Sequence, residues 1–292
     1  MKKIFALGFF DGVHLGHQAL LNTCCELARQ MDAWPCAITF QQHPQALFSE
    51  NPPKLINTNA DRQRLLREFG IGEVISYPVT QTIMSMPWDA FLKELLACDA
   101  VGFVCGNDFR FGNRGEGNTQ KLEAFCKERN LAFRLVGDQT LDGLRVSSTH
   151  IRSLLEDGET EQAVRFLGHP HILSGEVISG RRIGRTIGVP TANLALPEDV
   201  LCPKLGVYAC KAVIGHHRYP AVTNIGSRPT VGGHHITVEP WILNFDGDLY
   251  GKELTLEFHS FLRPEKKFDS LEELKAEIQK NAAQTLEFFE NT

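Results

Sequence analysis

The sequence predicts a protein of the α/β plus β class, in which an α/β domain precedes a domain of antiparallel strands. Three observations lead to this prediction. The chain has 292 residues, which corresponds to about two domains of ~150 residues each. Strand-like and helix-like patterns alternate in the first half, whereas short β-like runs dominate the second half. The pattern changes at Gly168–Ile172, so we predict domains at 1–168 and 169–292.

The first domain is predicted to contain five strands with helices between them, because short apolar runs alternate with segments of helical periodicity. The predicted strands are 3–8, 36–40, 73–77, 100–105 and 131–136. The predicted helices are 17–29, 62–69, the segment that Pro87 opens, 119–129 and the segment after Ser147. This alternation predicts a mostly parallel sheet with helices on both faces. Ligands of such sheets bind beyond the carboxyl ends of the strands.

The second domain is predicted to be an antiparallel β-barrel with a helix at its end. Its strands are predicted at 172–178, 206–214, 219–225, 236–245 and 253–261. Asp246-Gly247 is a typical hairpin turn and predicts that the segments on either side of it pair. Ser270 and Glu273 have the spacing of a capping box, which predicts that the last helix begins there.

Composition and charge exclude several classes of protein. The formal net charge is −5 and the apolar fraction is 42%, which argues against disorder, a nucleic-acid coat and a polybasic membrane anchor. No apolar run reaches the ~20 residues that span a bilayer, and the apolar start ends at Asp11 without a cleavage site. The eight cysteines form no C-x-x-C pair, which indicates reduced thiols. We therefore expect a cytoplasmic protein without nucleic-acid or membrane partners; an acidic chain with a barrel edge can also form a weak homo-oligomer.

A glycine-containing turn follows the first predicted strand. The run Gly8-Phe-Phe-Asp-Gly-Val-His-Leu-Gly-His17 leads into a helix, which is where α/β folds bind phosphate. Gly12 and Gly16 allow a ligand to approach the backbone closely. His14 and His17 can donate hydrogen bonds to phosphate oxygens or carry charge as pyrophosphate leaves. Taken alone, H-x-G-H is equally compatible with two turn histidines that make structural hydrogen bonds.

A second polar run follows the fifth predicted strand. Arg145-Val-Ser-Ser-Thr-His-Ile-Arg152 places three hydroxyls at a helix start, where they can cap the helix or bind phosphate. The guanidinium of Arg152 lies one turn later and can bind the same anion through two hydrogen bonds. Alone, this run is compatible with an ordinary cap and a surface arginine. Together with H-x-G-H it resembles the nucleotidyltransferase superfamily, which transfers a nucleotidyl group to a phosphate acceptor.

Two more loops lie at the carboxyl edge of the predicted sheet, Thr39–Pro44 and Gly106–Gly112. Phe109 and Phe111 can offer aromatic faces to a planar ligand, with Asp108 as a polar anchor; one of the two rings is expected in the core. With the first turn, these loops resemble the FMN adenylyltransferase module of bacterial FAD synthetases. The resemblance implies a Rossmann-like fold and binding residues Gly8, Phe10, Asp11, Gly16, Asn107, Asp108, Phe109, Phe111, Ser148 and Thr149.

The second domain carries its own constellation, Gly180-Arg-Arg-Ile-Gly-Arg-Thr-Ile-Gly-Val-Pro-Thr-Ala-Asn193. Its glycines and arginines suit a polyphosphate, and Thr191 and Asn193 offer the oxygen ligands that Mg²⁺ accepts. Asn224-Ile-Gly-Ser-Arg-Pro-Thr230 and Val238-Glu-Pro-Trp241 follow. Alternatively, the loop is a solvated hairpin and Glu239 a surface carboxylate. The set in this order resembles riboflavin kinase, a Greek-key barrel with a capping helix.

Together the two resemblances cover nearly the whole chain, which is similar to the bacterial bifunctional riboflavin kinase/FMN adenylyltransferase family. The family implies that riboflavin is phosphorylated by ATP to FMN in the second domain, and that the first domain converts FMN and ATP to FAD and pyrophosphate. It implies Mg²⁺ held by Thr191 and Asn193, and Glu239 as the residue that orients the ribityl hydroxyl. It also implies charge stabilisation by His14, His17 and Arg152. The remaining implied nucleotide and flavin contacts are Gly180, Arg185, Gly188 and Asn224.

Three positions depart from the family pattern: Phe9 stands where many members have Asn, Val231 where an aromatic residue often follows Pro-Thr, and Pro240 directly follows Glu239. Three alternatives stay open from the sequence. One half can be a degraded binding module. The first half can act on a pantetheine or cytidyl substrate, which leaves the barrel unexplained. The chain can also be a flavin-sensing protein without turnover.

Overall fold

The computed structural model describes residues 1–179, 188–230 and 233–291 and contains two compact units, Met1–Ser148 and Thr149–Thr292. The second unit begins inside a helix that the sequence analysis assigned to the first domain. The domain boundary at residue 168 stays a prediction. All eight cysteines are free thiols, and burial raises the pKa of Cys24, Cys36, Cys105 and Cys126 to about 12. None of the helices in the described ranges is long and apolar enough to cross a membrane.

The first unit contains a five-stranded sheet in the order β3-β2-β1-β4-β5. Every neighbouring pair is parallel, as the β-α alternation predicted. The strands are β1 (Lys3–Leu7), β2 (Trp34–Phe40), β3 (Glu73–Tyr77), β4 (Ala100–Gly106) and β5 (Ala132–Val136). A small hairpin, β6 (Thr140–Leu141) and β7 (Leu144–Arg145), follows them and was not predicted.

Helices cover both faces of this sheet. They are α1 (Leu15–Gln30), α2 (Asn59–Glu68), α3 (Gln81–Met84), α4 (Trp88–Ala97) and α5 (Thr119–Glu128). Apolar residues of α4 and α5 pack against Phe5, Leu7 and Phe103 on one face, and Cys24 of α1 reaches the backbone of Ile4 on the other. Since Leu7 is in register with Ile38 and Cys105, the ends of three strands meet at one edge. This edge is where the predicted ligand loops begin.

The second unit is a closed six-stranded barrel in the order β10-β11-β12-β9-β8-β13. The strands are β8 (His171–Ile178), β9 (Asn193–Ala195), β10 (Gly206–Ile214), β11 (His217–Thr230), β12 (Gly233–Ile242) and β13 (Glu253–Arg263). Strands β10 to β12 form a meander and β9 lies beside β12, which is a Greek key. All pairs are antiparallel. Because the described strands close on themselves, the barrel edge expected to permit self-association is absent from them.

The predicted hairpin at Asp246-Gly247 is wrong. Strand β12 ends at Ile242 and pairs with β11 and β9, whereas β13 pairs with β10 and β8. The residues 243–252 therefore form a loop between strands that are not neighbours. A turn dipeptide reports local geometry only, and here closure of the barrel decides which strands pair.

Three helices accompany the barrel: α6 (Ser148–Asp157), α7 (Thr160–Leu167) and α8 (Leu271–Glu290). Helix α7 was not predicted and ends at Gly168, whose φ of 75° is left-handed. Helix α8 begins as predicted, because Ser270 accepts a hydrogen bond from the Glu273 backbone N–H at 3.1 Å. It packs on the outside of the barrel, where Ala282 meets Val207 and Val222.

Candidate active sites

The turn between β1 and α1 is tightly built. Phe10, Gly12 and Val13 have φ values of 59°, 83° and 41°, and a left-handed β-branched residue such as Val13 is strained. The Asp11 carboxylate, 1% exposed, accepts a hydrogen bond from the Ile56 backbone N–H at 2.9 Å. A Cβ at Gly8 would lie 2.9 Å from the tip of the Phe10 ring. The turn therefore needs glycine at position 8 and is fixed from both ends.

The turn presents two stacked histidines. The rings of His14 and His17 lie 3.7 Å apart, nearly parallel at 13°. His14 caps α1, and its Nδ1 accepts a hydrogen bond from the His17 backbone N–H at 3.3 Å. This bond leaves the imidazole proton on Nε2, which can donate to a ligand oxygen. A Cβ at Gly16 would lie 3.2 Å from the His14 ring, so glycine there leaves the imidazole its space.

The buried environment disfavours charge on His17. Burial lowers the pKa of His17 well below its usual value, and repulsion from His14 and Arg62 lowers it further. At neutral pH His17 is therefore uncharged. Of the two roles predicted for it, hydrogen bonding suits this environment better than carrying a charge.

The hydroxyl run meets the glycine-containing turn inside the first unit. The Ser148 hydroxyl donates a hydrogen bond to the Asp11 backbone carbonyl at 2.8 Å, across 137 positions of the chain. The two motifs that the sequence analysis combined are therefore adjacent at Ser148. Thr149 and Arg152 follow in α6, which continues in the second unit. Their binding roles stay predictions.

The two phenylalanines of the loop after β4 differ in how deeply they are buried. Phe111 is 7% exposed and belongs to the apolar core with α4 and α5. Phe109 is partly buried, and its ring stacks on Phe111 at 5.3 Å. Phe109 is therefore the ring that can offer a face to a planar ligand. Asn107 beside it is exposed.

Asp108, the predicted polar anchor, is held by an arginine that the sequence analysis did not select. Arg145 Nη2 lies 2.7 Å from Asp108 Oδ2 and 3.1 Å from Asp138 Oδ1. Arg145 belongs to β7, just before Ser148, so it connects the β4 loop to the hydroxyl run. The signal available in the sequence was its place at the start of the R-V-S-S-T run.

A buried arginine at the same sheet edge was also missed. Arg62 of α2 is 0% exposed and donates hydrogen bonds to the backbone carbonyls of Phe40 and Gln41. Its guanidinium lies 4.5 Å from the centre of the Phe9 ring, and that ring meets His43 edge to face at 5.2 Å. Phe9, the departure from the family pattern, therefore packs between a buried cation and the β2 loop.

In the barrel, strand register brings three predicted residues into one row. Glu239 pairs with Asn224 across β11 and β12. Val238 pairs with Leu194, which places Asn193 next to Glu239 across β12 and β9. Side chains alternate along a strand, and the neighbours Leu194, Val238 and Ile225 point into the core. The row Asn193–Glu239–Asn224 therefore lies on the outer face of the barrel wall.

A cavity of about 500 Å³ includes Thr191 in its lining, but none of the three residues of the row is among the described residues that line it. One side is the segment Pro190–Ala192, including Thr191, and the other is the loop after β12. The loop contributes two aromatic rings, Phe245 and Tyr250, and two carboxylates, Asp246 and Asp248. The same loop was wrongly predicted as a hairpin, and its length is what forms the cavity wall.

The oxygen donors fit a magnesium ion. Thr191 lines the cavity and Asn193 follows two positions later. They offer a hydroxyl and an amide oxygen, ligands that Mg²⁺ accepts together with phosphates and water. The described ranges hold no cluster of three His, Cys, Asp or Glu side chains suited to a metal, so phosphate would supply the charge. Gly188, with φ of 76°, has open space around its Cβ direction. The predicted phosphate-loop residues Gly180 and Arg185, and also Val231, lie outside the described residues.

The first unit combines a parallel sheet with an H-x-G-H turn, and the second is a Greek-key barrel with a Thr-x-Asn motif and a cavity. These features define a two-domain enzyme that transfers a group from a nucleotide. Family models agree: residues 1–150 match FAD synthetase, and residues 167–289 match riboflavin kinase. The chain belongs to the family of bifunctional riboflavin kinases/FMN adenylyltransferases.

Individual relatives support this membership. A bifunctional riboflavin kinase/FMN adenylyltransferase from Listeria monocytogenes is 34% identical over 99% of this chain and 93% of its own length. The protein of that name from Escherichia coli K12 is 36% identical over 98% of this chain and 92% of its own length. A crystal structure of a macrolide-efflux protein from Streptococcus pneumoniae has a TM-score of 0.87 at 28% identity, covering 97% of this chain and 93% of that one.

Proposed function

We propose that the two activities of the family are divided between the two sites described above. The second unit phosphorylates riboflavin to FMN with ATP, and the first unit adenylylates FMN to FAD with release of pyrophosphate. The observation that carries the assignment is the hydrogen bond between Ser148 and Asp11, because it joins the hydroxyl run to the H-x-G-H turn. We place the domain boundary at residue 168, and the enzyme in the cytoplasm.

In the first unit, an oxygen of the FMN phosphate attacks the α-phosphorus of ATP, and the bond from that phosphorus to the β-phosphate bridging oxygen breaks. No protein nucleophile is needed, since the attacking phosphate is already ionised. His14 donates from Nε2 to a phosphate oxygen, and neutral His17 donates a second hydrogen bond. Ser148, Thr149 and Arg152 stabilise the charge on the leaving pyrophosphate. The backbone of Gly8–Asp11 and Gly16 forms the phosphate turn, with Asn107–Phe109 against the flavin.

In the second unit, the terminal ribityl hydroxyl of riboflavin attacks the γ-phosphorus of ATP, and ADP leaves. Glu239 orients this hydroxyl and accepts its proton, and Asn224, its partner in strand register, contacts the bound flavin or nucleotide. Thr191 and Asn193 hold Mg²⁺, which neutralises phosphate charge when it is bound. Gly180, Arg185 and Gly188 belong to the loop that binds the polyphosphate. We assign the nucleotide to the cavity lined by Thr191, Phe245 and Tyr250, whose rings suit a purine.

The test is a time course with riboflavin, ATP and Mg²⁺ in which the flavins are separated by chromatography. The wild type is expected to form FMN first and FAD second. Glu239→Gln is expected to lower the rate of FMN formation about 100- to 10,000-fold. The same variant supplied with FMN should form FAD at the wild-type rate.

Other outcomes identify the alternatives. Riboflavin that stays bound but unconverted in the wild type identifies a flavin sensor. FMN without FAD, or FAD from supplied FMN alone, shows that one unit is only a binding module. A full rate of FMN formation in Glu239→Gln would remove the assigned role of Glu239.

A further inference from the structure

A permanently charged side chain is buried at the carboxyl edge of the first sheet, and the mechanism above gives it no role. Arg62 of α2 is fully buried, and an arginine stays protonated even in the interior of a protein. Its Nη2 donates hydrogen bonds to the carbonyl oxygens of Phe40 and Gln41 and to Asn59 Oδ1. These acceptors are neutral oxygens, so they orient the guanidinium without removing its charge. Burial of a charge costs stability that packing alone does not return.

The ends of three strands fix the guanidinium next to the β1–α1 turn. It lies 4.5 Å from the centre of the Phe9 ring, at the end of β1, in a cation–π contact. The backbone carbonyl of Phe9 accepts a hydrogen bond from the Thr39 hydroxyl of β2 at 2.7 Å. Asn59 Oδ1 also accepts one from the Ser76 hydroxyl of β3 at 3.0 Å. The position of the charge is therefore set before any ligand binds.

The positive potential of Arg62 reaches the histidine pair. Repulsion from Arg62 contributes to holding the pKa of His17 well below its usual value. A potential that disfavours a positive charge at this ring favours a negative charge at the same place. Burial and the Phe9 ring also keep water away from the guanidinium, so its attraction for an anion is screened less than that of a surface arginine.

We propose that Arg62 is a positioning residue of the adenylyltransferase site, whose buried charge attracts the polyphosphate of ATP to the H-x-G-H turn without contacting it. The ligands that gain from this charge are anions, namely ATP and the product pyrophosphate. Adenosine has the same base and sugar but no phosphate, so it gains nothing. This inference rests on the proposed adenylyltransferase function of the first unit.

The test compares Arg62→Gln with Arg62→Lys. Both variants keep a group that can donate to a backbone carbonyl, but only the lysine keeps the charge. KM for ATP and the inhibition constants of pyrophosphate and adenosine are measured on the full-length protein during FAD formation from supplied FMN. In Arg62→Gln, KM for ATP and the inhibition constant of pyrophosphate are expected to rise about 10-fold, whereas that of adenosine stays constant. Arg62→Lys should match the wild type in all three.

Two controls separate this effect from a general loss of charge and from damage to the fold. Arg67→Met removes a positive charge from an exposed position of the same helix and should match the wild type, because water and salt screen an exposed charge. FMN formation from riboflavin reports the second unit and should be unchanged in all variants. Both substitutions at Arg62 lose the planar guanidinium, so a purely structural role predicts that ATP affinity falls equally in the two.

The proposal is overturned if Arg62→Gln leaves KM for ATP unchanged, if Arg62→Lys raises it as much, or if adenosine binding weakens together with pyrophosphate binding. If Arg62→Gln does not fold, Arg62→Lys decides alone: an unchanged KM for ATP supports the proposal, and a raised one contradicts it. A wild type that forms no FAD from supplied FMN contradicts the proposed function of the first unit, and the inference falls with it.

Discussion

The two candidate sites differ in how the fold places their side chains. In the first unit the functional turn is part of the interior: Phe10, Asp11, His14 and Arg62 are all buried. In the barrel the row Asn193–Glu239–Asn224 lies on the outer face of strands whose alternate residues form the core. Strand register positions the second site, whereas buried side-chain contacts and backbone strain position the first.

This difference predicts at which of the two sites a substitution changes activity and stability together. A change in the β1–α1 turn alters groups that also hold the first unit together, so rate and stability should fall together there. Glu239 is partly exposed, and exchanging its carboxylate for an amide of the same shape leaves the packing around it unchanged, so such a substitution should shift stability by less than about 0.5 kcal/mol. Glu239→Gln should therefore lose FMN formation while its free energy of unfolding stays close to that of the wild type.

The largest effect in the first unit is expected at His14, where two roles can be separated. His14→Asn keeps a side chain that caps α1 well but removes the Nε2 donor. We expect the rate of FAD formation to fall about 100-fold, with little change in the melting temperature. His14→Ala should lose the same rate and in addition about 1 kcal/mol of stability, because the cap is lost as well.

The measurement is FAD formation from supplied FMN, with thermal unfolding of both variants. FMN formation from riboflavin serves as the internal control and should be unchanged. If His14→Asn retained the wild-type rate of FAD formation, His14 would be a structural cap only. The buried turn of the first unit would then no longer be an example of a site that couples activity to stability.

The sequence predicted the regular elements of both units well, since alternation and helical spacing follow from burial on one face. Strands β3 and β10 have the predicted bounds. Strand β9 was missed because it is three residues long, which is too short for a pattern of burial to identify. The Asp246-Gly247 hairpin failed because strand pairing in a closed barrel depends on residues far away in the chain.

The proximity of the H-x-G-H turn and the Ser148 run could be predicted, because each motif follows a strand of the same sheet. Other contacts between distant segments could not be predicted. Arg62 lies in a helix whose periodicity says nothing about the carbonyls of β2, and nothing local marks Arg145 as the partner of Asp108. Phe109 and Phe111 look alike in sequence, and only the packing against α4 and α5 shows which ring is core.

A smaller effect is expected from Arg62, which tests whether the first site depends on its buried scaffold. Arg62→Met keeps the volume of the side chain but leaves the carbonyls of Phe40 and Gln41 without this donor. An unsatisfied buried group costs about 1–3 kcal/mol, so the first unit should be destabilised by about 2 kcal/mol. Urea unfolding followed by fluorescence in a Trp241→Phe background reports this unit, because Trp34 and Trp88 both belong to it.

The matched control is Arg67→Met in the same helix. Arg67 is exposed and donates a hydrogen bond to Gln63 Oε1 at 3.3 Å, and exposed polar contacts of this kind contribute less than about 1 kcal/mol. Equal destabilisation by the two substitutions would show that the guanidinium of Arg62 has no special structural role at the sheet edge.

The smallest effect concerns a buried histidine of the barrel that lies away from the outer row. His171 is 0% exposed, and within the described ranges neither of its ring nitrogens has a hydrogen-bond partner. Burial, with a contribution from His169, lowers the pKa of His171 to about 3. The folded protein therefore keeps this ring neutral over a range in which the unfolded chain binds a proton, so stability falls as the pH decreases below about 6.5.

Between pH 7 and pH 5.5 this one group should account for about 1 kcal/mol of lost stability. His171→Leu removes the group while keeping an apolar contact with Phe258, whose ring centre lies 5.7 Å from that of His171. Urea unfolding at the two pH values, followed through Trp241 in a Trp34→Phe, Trp88→Phe background, gives the difference for each protein. His259, which burial also shifts to a pKa of about 4, is present in both, so subtraction isolates His171. Identical pH dependence of the unfolding free energy in the two proteins would contradict this prediction. It would mean that the His171 ring is hydrated or hydrogen-bonded in the folded protein, so that water reaches the barrel core.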